Sequence, residues 1–180
     1  SDVYKRQVAM QRTVSDMKRR LPGPIATMVR KYYSIEAAEI NPTSTKAVQG
    51  KEAAKIKIEG DTVASLALVY EGRVLTPRGH GFGLKETKQK SGRTKIQMKV
   101  KKKQATLTGK YGTAFMARAS EGSSTRIPFQ RVPGTGAIEV IRTVAVPEMI
   151  DNEEVNAAIY ERISDTVNKR AANNFKSLLE

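Results

Sequence analysis

The apolar period of this chain changes at Pro147, and that change limits the folds open to it. Beyond it, Val155, Ile159, Ile163, Val167, Ala171 and Phe175 recur every fourth residue, and Leu178 and Leu179 close the stripe. This is one face of a long amphipathic helix over residues 151–180. Asp151 and Glu154 have the cap-plus-three spacing of a capping box, with Asp in place of the usual Ser or Thr. Before it, residues 114–150 read as three short strands, 114–118, 126–132 and 138–146, joined by Gly- and Ser-bearing turns. Ile127 and Phe129 alternate with polar neighbours, as do Val140 and Val144 over part of the next run. Pro128 has no N–H to donate, so its strand belongs at an edge or has that position facing solvent. At Pro147 the pairing stops.

The N-terminal part reads as helical. Met10, Val14, Met17 and Leu21 form one stripe, which Pro22-Gly23-Pro24 breaks. Pro24 suits the first position of a second helix, where its missing N–H would be unpaired anyway. Ile25, Met28, Val29 and Tyr32 give that helix an apolar face, and it extends through Ile35 and Ile40 to Asn41, before Pro42. Residues 41–49 are polar loop. Ile56 and Ile58 mark a short strand. The run 63–75 places Leu66, Leu68 and Tyr70 on one face and Ala67 and Val69 on the other, as in a strand covered on both sides at the centre of a sheet, with Gly72 at a bulge. Residues 77–92, with Gly79, Gly81, Gly83 and Gly92, read as loop. Ile96, Met98 and Val100 then alternate with Lys95, Gln97, Lys99 and Lys101, and residues 106–111 return as a further strand.

The expectation is an α+β fold: a mostly antiparallel sheet with N-terminal helices and one long C-terminal helix packed on it. Residues 8–180 form a single domain, with a helical part at 8–41, a sheet at 55–146 carrying a mobile basic loop at 77–110, and the helix at 151–180. Residues 2–7, DVYKRQ, resemble the translation of a transposon end used to tag DNA in sequencing libraries. On that resemblance Ser1–Gln7 is an artefact, the natural N-terminus is missing, and the segment is set aside.

With no Cys and one His, thiolate chemistry, disulfides and His-based metal clusters are excluded. The longest apolar run, 66–70, is far short of the roughly 20 residues of a membrane span, and no apolar segment of a signal peptide follows the basic start. The net charge is +14, and ten basic residues against one acid between Lys85 and Lys110 supply +9 of it. Such a block suits a polyanion, or else forms a solvated loop and strand face. Lys95, Lys99 and Lys101 project from one side of a strand, and Lys102 and Lys103 extend the patch. The block holds no aromatic, so it fits phosphate contact without base reading.

Catalytic patterns are weak. The segment 78–85, RGHGFGLK, lacks the spacing of a P-loop. His80 is a loop residue with no partner in reach by spacing, and Ser123, Ser124 and Thr125 have no nearby His. Glu148, Asp151, Glu153 and Glu154 are explained by helix capping and the helix dipole. No cofactor or metal is implied.

The chain resembles the phage minor tail proteins of the protein Z type, the tail-completion proteins of lambdoid and related long-tailed phages and prophages. The resemblance runs from about Met10 to Leu179. It lies in an apolar-x-Arg strand (115–118), an Arg-apolar-Pro-apolar strand (126–129) and a closing Val-Pro-x-Met segment (145–149), followed by the long helix with Lys169-Arg170. Ala145 stands where the family often has Ser, Glu148 where Gln is common, and the turn at 122–125, GSST, is short of the usual basic or Gly-rich insert. The resemblance implies a structural protein without enzymatic activity, acting at the head-proximal end of the tail. Its implied partners are tail tube or terminator proteins, head–tail joining proteins and further copies of itself in a ring. It also implies that Arg118, Arg126, Pro128, Phe129, Pro147 and Met149 are structural or assembly-contact positions. The segment 78–110 is then expected to order against an acidic neighbour or DNA.

Overall fold

The structure is a computed structural model that describes residues 1–40, 55–72, 74–79 and 81–179. In chain order its first elements are α1 (Asp2–Arg20), α2 (Pro22–Tyr32), α3 (Ala37–Ile40), β1 (Lys55–Glu59) and β2 (Ala67–Glu71). Then come β3 (Lys85–Lys88), β4 (Thr94–Met98), β5 (Ala105–Thr106), β6 (Phe115–Arg118), β7 (Arg126–Arg131), β8 (Ile138–Val140), α4 (Val146–Asp151) and α5 (Glu153–Leu179). The fold is α+β, with helices at both ends and antiparallel pairing between them. Among the described residues the strands fall into three small sheets in place of one, and the chain divides into two compact units. The first unit comprises Ser1–Arg30, Ala37–Arg73 and Val146–Glu180, and the second Lys31–Glu36 and Val74–Ala145.

In the first unit α5 packs along α1. Val155 and Ile159 are buried and the rest of the four-residue stripe is half-buried. On α1 the buried face is Ala9, Thr13, Val14 and Met17. Met10, placed on the stripe by spacing, is exposed, because the face turns about Ala9 and Thr13. Residues 2–7, set aside above, form the first turns of α1. The Asn174 amide donates to Thr13 Oγ1 at 3.1 Å and to Asp16 Oδ2 at 3.3 Å, fixing the register of the two helices.

Three expectations for this unit are corrected. The second helix starts at Pro22, so both prolines sit in its first turn, where N–H groups have no helical partner. It ends at Tyr32 and does not run on to Asn41, which lies outside the described residues together with the polar stretch 42–49. The run 63–75 is not one central strand. Thr62 Oγ1 accepts from Ser65 N at 3.1 Å and closes a short 3₁₀ turn over Val63–Ser65, which leaves β2 only five residues, paired to β1 alone. Gly72 follows the strand rather than bulging it. Finally, the long C-terminal helix is a single helix, as expected, but it begins at Glu153 and is preceded by the short α4, where strand had been expected up to Val146. Asn152 caps α5, its Oδ1 accepting from Val155 N at 3.4 Å, while Tyr70 O–H donates to Asp151 Oδ1 at 2.5 Å. Asn serves as well as Asp at a cap, so spacing alone did not separate them.

The second unit holds sheets β3-β4-β5 and β6-β7-β8 around Ile96, Ala114 and Ile141, against which Leu84, Leu107 and Met116 pack. Phe82 is fully buried here. The stretch 77–92, expected as loop, contributes a strand, β3, which completes a three-stranded sheet with the strand expected near 94–100 and its return. Its first strand, KETK, is exposed throughout and has no apolar signal, so only its register with β4 (Glu86 opposite Ile96) defines it. The return strand is two residues, 105–106, not 106–111. Pro128 lies buried in the middle strand of its sheet, not at an edge. Ile141 N donates to Pro128 O at 2.9 Å, but the reciprocal donor is absent, and β8 ends one residue short, at Val140. Pairing runs out at the Val74–Ala145 bridge, directly before the helix that contains Pro147.

Candidate functional site: a lysine-rimmed groove

Within the second unit the chain leaves β4 at Met98 and turns against residues 32–34. Lys99 N donates to Phe82 O at 2.7 Å, Ser34 N to Val100 O at 2.8 Å and Lys102 N to Tyr32 O at 3.2 Å, while Tyr33 and Lys101 form a β-bridge. These backbone bonds hold a groove of about 680 Å³. Its floor is apolar (Tyr32, Met98, Val100, Ala105 and Leu107) and its rim is Lys31, Lys101, Lys102 and Lys103. None of these four lysines forms an ion pair with another described residue. Uncompensated like charge around a dry floor attracts an anionic group that also carries apolar surface.

The patch expected from Lys95, Lys99 and Lys101 on one side of a strand, extended by Lys102 and Lys103, is thus divided. Lys95 alone lies in β4 and is half-buried, lining a different groove of about 690 Å³ with Arg93, Ile96, Leu107 and Phe115. Lys99 is exposed and borders neither groove, and Lys101, Lys102 and Lys103 surround the first. Lys31, at the end of a helix, joins them through the backbone pairing of residues 32–34, a long-range contact with no sequence signal.

The motif residues divide between core and surface. Phe129 is buried and stacks on Phe115, with centroids 6.2 Å apart and an interplanar angle of 25°. Pro128 and Met149 are buried, and Pro147 is half-buried in the first turn of α4. Arg126 ties three strands together. Its guanidinium donates to Glu86 at 2.9 Å and to Met116 O at 3.0 Å, while Arg78 donates to the Arg126 carbonyl at 2.7 Å. Arg118, opposite Arg126 in the register, is exposed. Of the six, Arg118 and Arg126 are exposed, Arg126 with its guanidinium bonded to Glu86 and to Met116 O.

The groups weighed for chemistry stay apart. Ser123 Oγ accepts from Thr125 N at 3.1 Å within a turn, and Asp151 is engaged by Tyr70. That bond, with some burial behind it, raises the Tyr70 phenol above its ordinary value near 10. His80 lies outside the described residues. Among the described residues no three His, Asp or Glu are gathered as a metal site, and no helix is long and apolar enough to cross a membrane.

Compared with protein-family models, curated proteins and solved structures, the chain matches none of them.

Proposed function

We propose that this chain is a structural protein of a phage or prophage virion that completes the head-proximal end of a long tail and catalyses no reaction. It works in the host cytoplasm during assembly and in the tail afterwards. Its partners are tail tube or terminator proteins, head–tail joining proteins and its own copies in a ring. The observation that carries the reading is the ordered motif series. Its Arg-bearing strands become β6 and β7 of one sheet, with Phe115 stacked on Phe129, and its Val-Pro-x-Met segment becomes α4, leading directly into α5. A coherent scaffold with its motif side chains mostly in the core fits a part that works by shape and adhesion.

Deleting the gene from the phage or prophage that encodes it tests the reading. Tails that fail to join heads, repaired by the gene in trans, are the expected result, with antibody label at the tail's head-proximal end. Normal particle yield without the gene refutes it. The exposed lysines favour one second reading, a basic domain that holds nucleic acid without reading sequence. A gel shift separates the two: such a domain retains duplex at low salt and loses it steeply as salt rises.

A further inference from the structure

The lysine-rimmed groove lacks a counter-charge in its own surroundings, and one other surface of the chain has the complementary lack. The exposed face of α5 between residues 153 and 165 presents Glu153, Glu154, Glu161 and Asp165, none paired to another described residue. Among them stands Tyr160, at 73% the most exposed aromatic of the described residues. At 3.6 residues per turn, Glu153 lies nearly in line with Tyr160 two turns away, and Glu154, Glu161 and Asp165 share one flank. The buried Val155 and Ile159 face the other way.

We infer that the groove of one copy receives the Tyr160 face of α5 from a second copy. The ring of Tyr160 lies on the floor of Tyr32, Met98 and Leu107, and the four carboxylates meet Lys31, Lys101, Lys102 and Lys103. An aromatic anchor seated in a pocket within a polar rim is a recurrent form of interface hot spot, and opposite charges facing each other across an interface steer and orient the partners. The two patches are different surfaces, so the contact is heterologous: each copy offers a groove to one neighbour and a helix to the other, which closes a ring when the rotation allows. The contact names how the ring proposed above is joined and rests on that reading only for its place in the virion. Self-association of the purified chain tests the contact and particle assembly tests the reading, so the failure of either is separately visible.

The experiment is sedimentation of the chain over a range of protein and salt concentrations, with three variants. The wild type is expected to associate, and less so as salt rises. Tyr160→Ala weakens association about thirtyfold, the equivalent of a 2 kcal/mol hot spot at 1.4 kcal/mol per decade. Lys101→Glu/Lys102→Glu/Lys103→Glu and Glu153→Lys/Glu161→Lys/Asp165→Lys each leave monomers, because groove and helix then carry the same sign. Mixed in equal amounts, those two charge variants associate again, since each supplies what the other has inverted. A wild type that stays monomeric overturns the proposal and leaves the groove to an acidic helix of another protein. So does a Tyr160→Ala variant that associates like wild type, or a mixture that does not recover.

Discussion

Replacing Gln130 by Leu tests how the second unit holds its turn at residues 109–111. Gln130 is 6% exposed, and its Oε1 accepts from Lys110 N at 2.7 Å and from Tyr111 N at 3.2 Å. Its Nε2 donates to Glu139 at 3.4 Å across β7 and β8. Leu keeps the volume and removes the acceptor, so two backbone donors lose their partner. In a dry site each would cost about 1–3 kcal/mol, and here, with Lys110 and Tyr111 themselves exposed, the lower end applies, giving about 2 kcal/mol for the pair. Gly109 supplies an internal control. Its φ is +71°, and a Cβ there would run into Gln130 Oε1. Gly109→Ala should therefore cost about 1–2 kcal/mol for the left-handed backbone plus the clash, and Gln130→Ala removes the contact with the amide, leaving only the 3.0 Å approach to Ile141 Cδ1. The double variant then costs at least about 1 kcal/mol less than the sum of the singles. Urea unfolding measures the totals, and amide exchange at Lys110 and Tyr111 reads the two bonds directly. A Gln130→Leu variant that loses under about 0.5 kcal/mol and keeps both amides protected would refute the reasoning.

Phe82→Ala, which empties a fully buried site in the second unit, should lower stability by about 3–5 kcal/mol, seen as a large fall in the melting temperature. A fall of only a few tenths would mean that the side chain is not packed as described. Asn174→Ala removes both donors that join α5 to α1 and should cost about 1–2 kcal/mol in denaturant titration, whereas the same change at exposed Asn173 should cost little. The Tyr70 phenol is raised by its bond to Asp151, so its stabilisation is complete below the unfolded value near 10 and is lost as pH climbs through the higher folded value. In a tyrosinate absorbance titration Tyr70→Phe should remove a late-titrating phenol. An unchanged upper limb of the curve would show that the bond is not made.

The parts of the fold that were legible in the sequence are those whose signal is local. The four-residue repeat of α5 and the alternation of Ile96 and Met98 both follow from period alone. What was not legible depends on partners far along the chain. The KETK strand has no apolar residue to announce it, and Phe82, in a loop among glycines, carries no local sign that it is fully buried. Pro128 gave a sound local rule, that a missing donor belongs at an edge, and the sheet met it differently by ending β8 where the donor would have been required. Asp151 and Asn152 are equally good caps, and only the Tyr70 hydroxyl decided between them.

The same distinction applies to the candidate site. The charge block was plain from composition, but composition could not tell a lysine over a dry floor from one on a solvated strand. Lys95 and Lys101 have the same parity, which in an unbroken strand means the same face. The strand stops at Met98, because Lys99 N is taken by Phe82 O and Val100 O by Ser34 N. Those bonds turn the chain and bring Lys101–103 round to Lys31 while Lys95 stays with Arg93. On the other side, Tyr160 falls outside the apolar stripe. That position is what makes it available: a tyrosine on the stripe would belong to the core, while one between Glu153 and Glu161 on the outer face is carried by a long helix and stays 73% exposed among the described residues. The residues best placed to bind a second copy are therefore the ones that a search for the core discards.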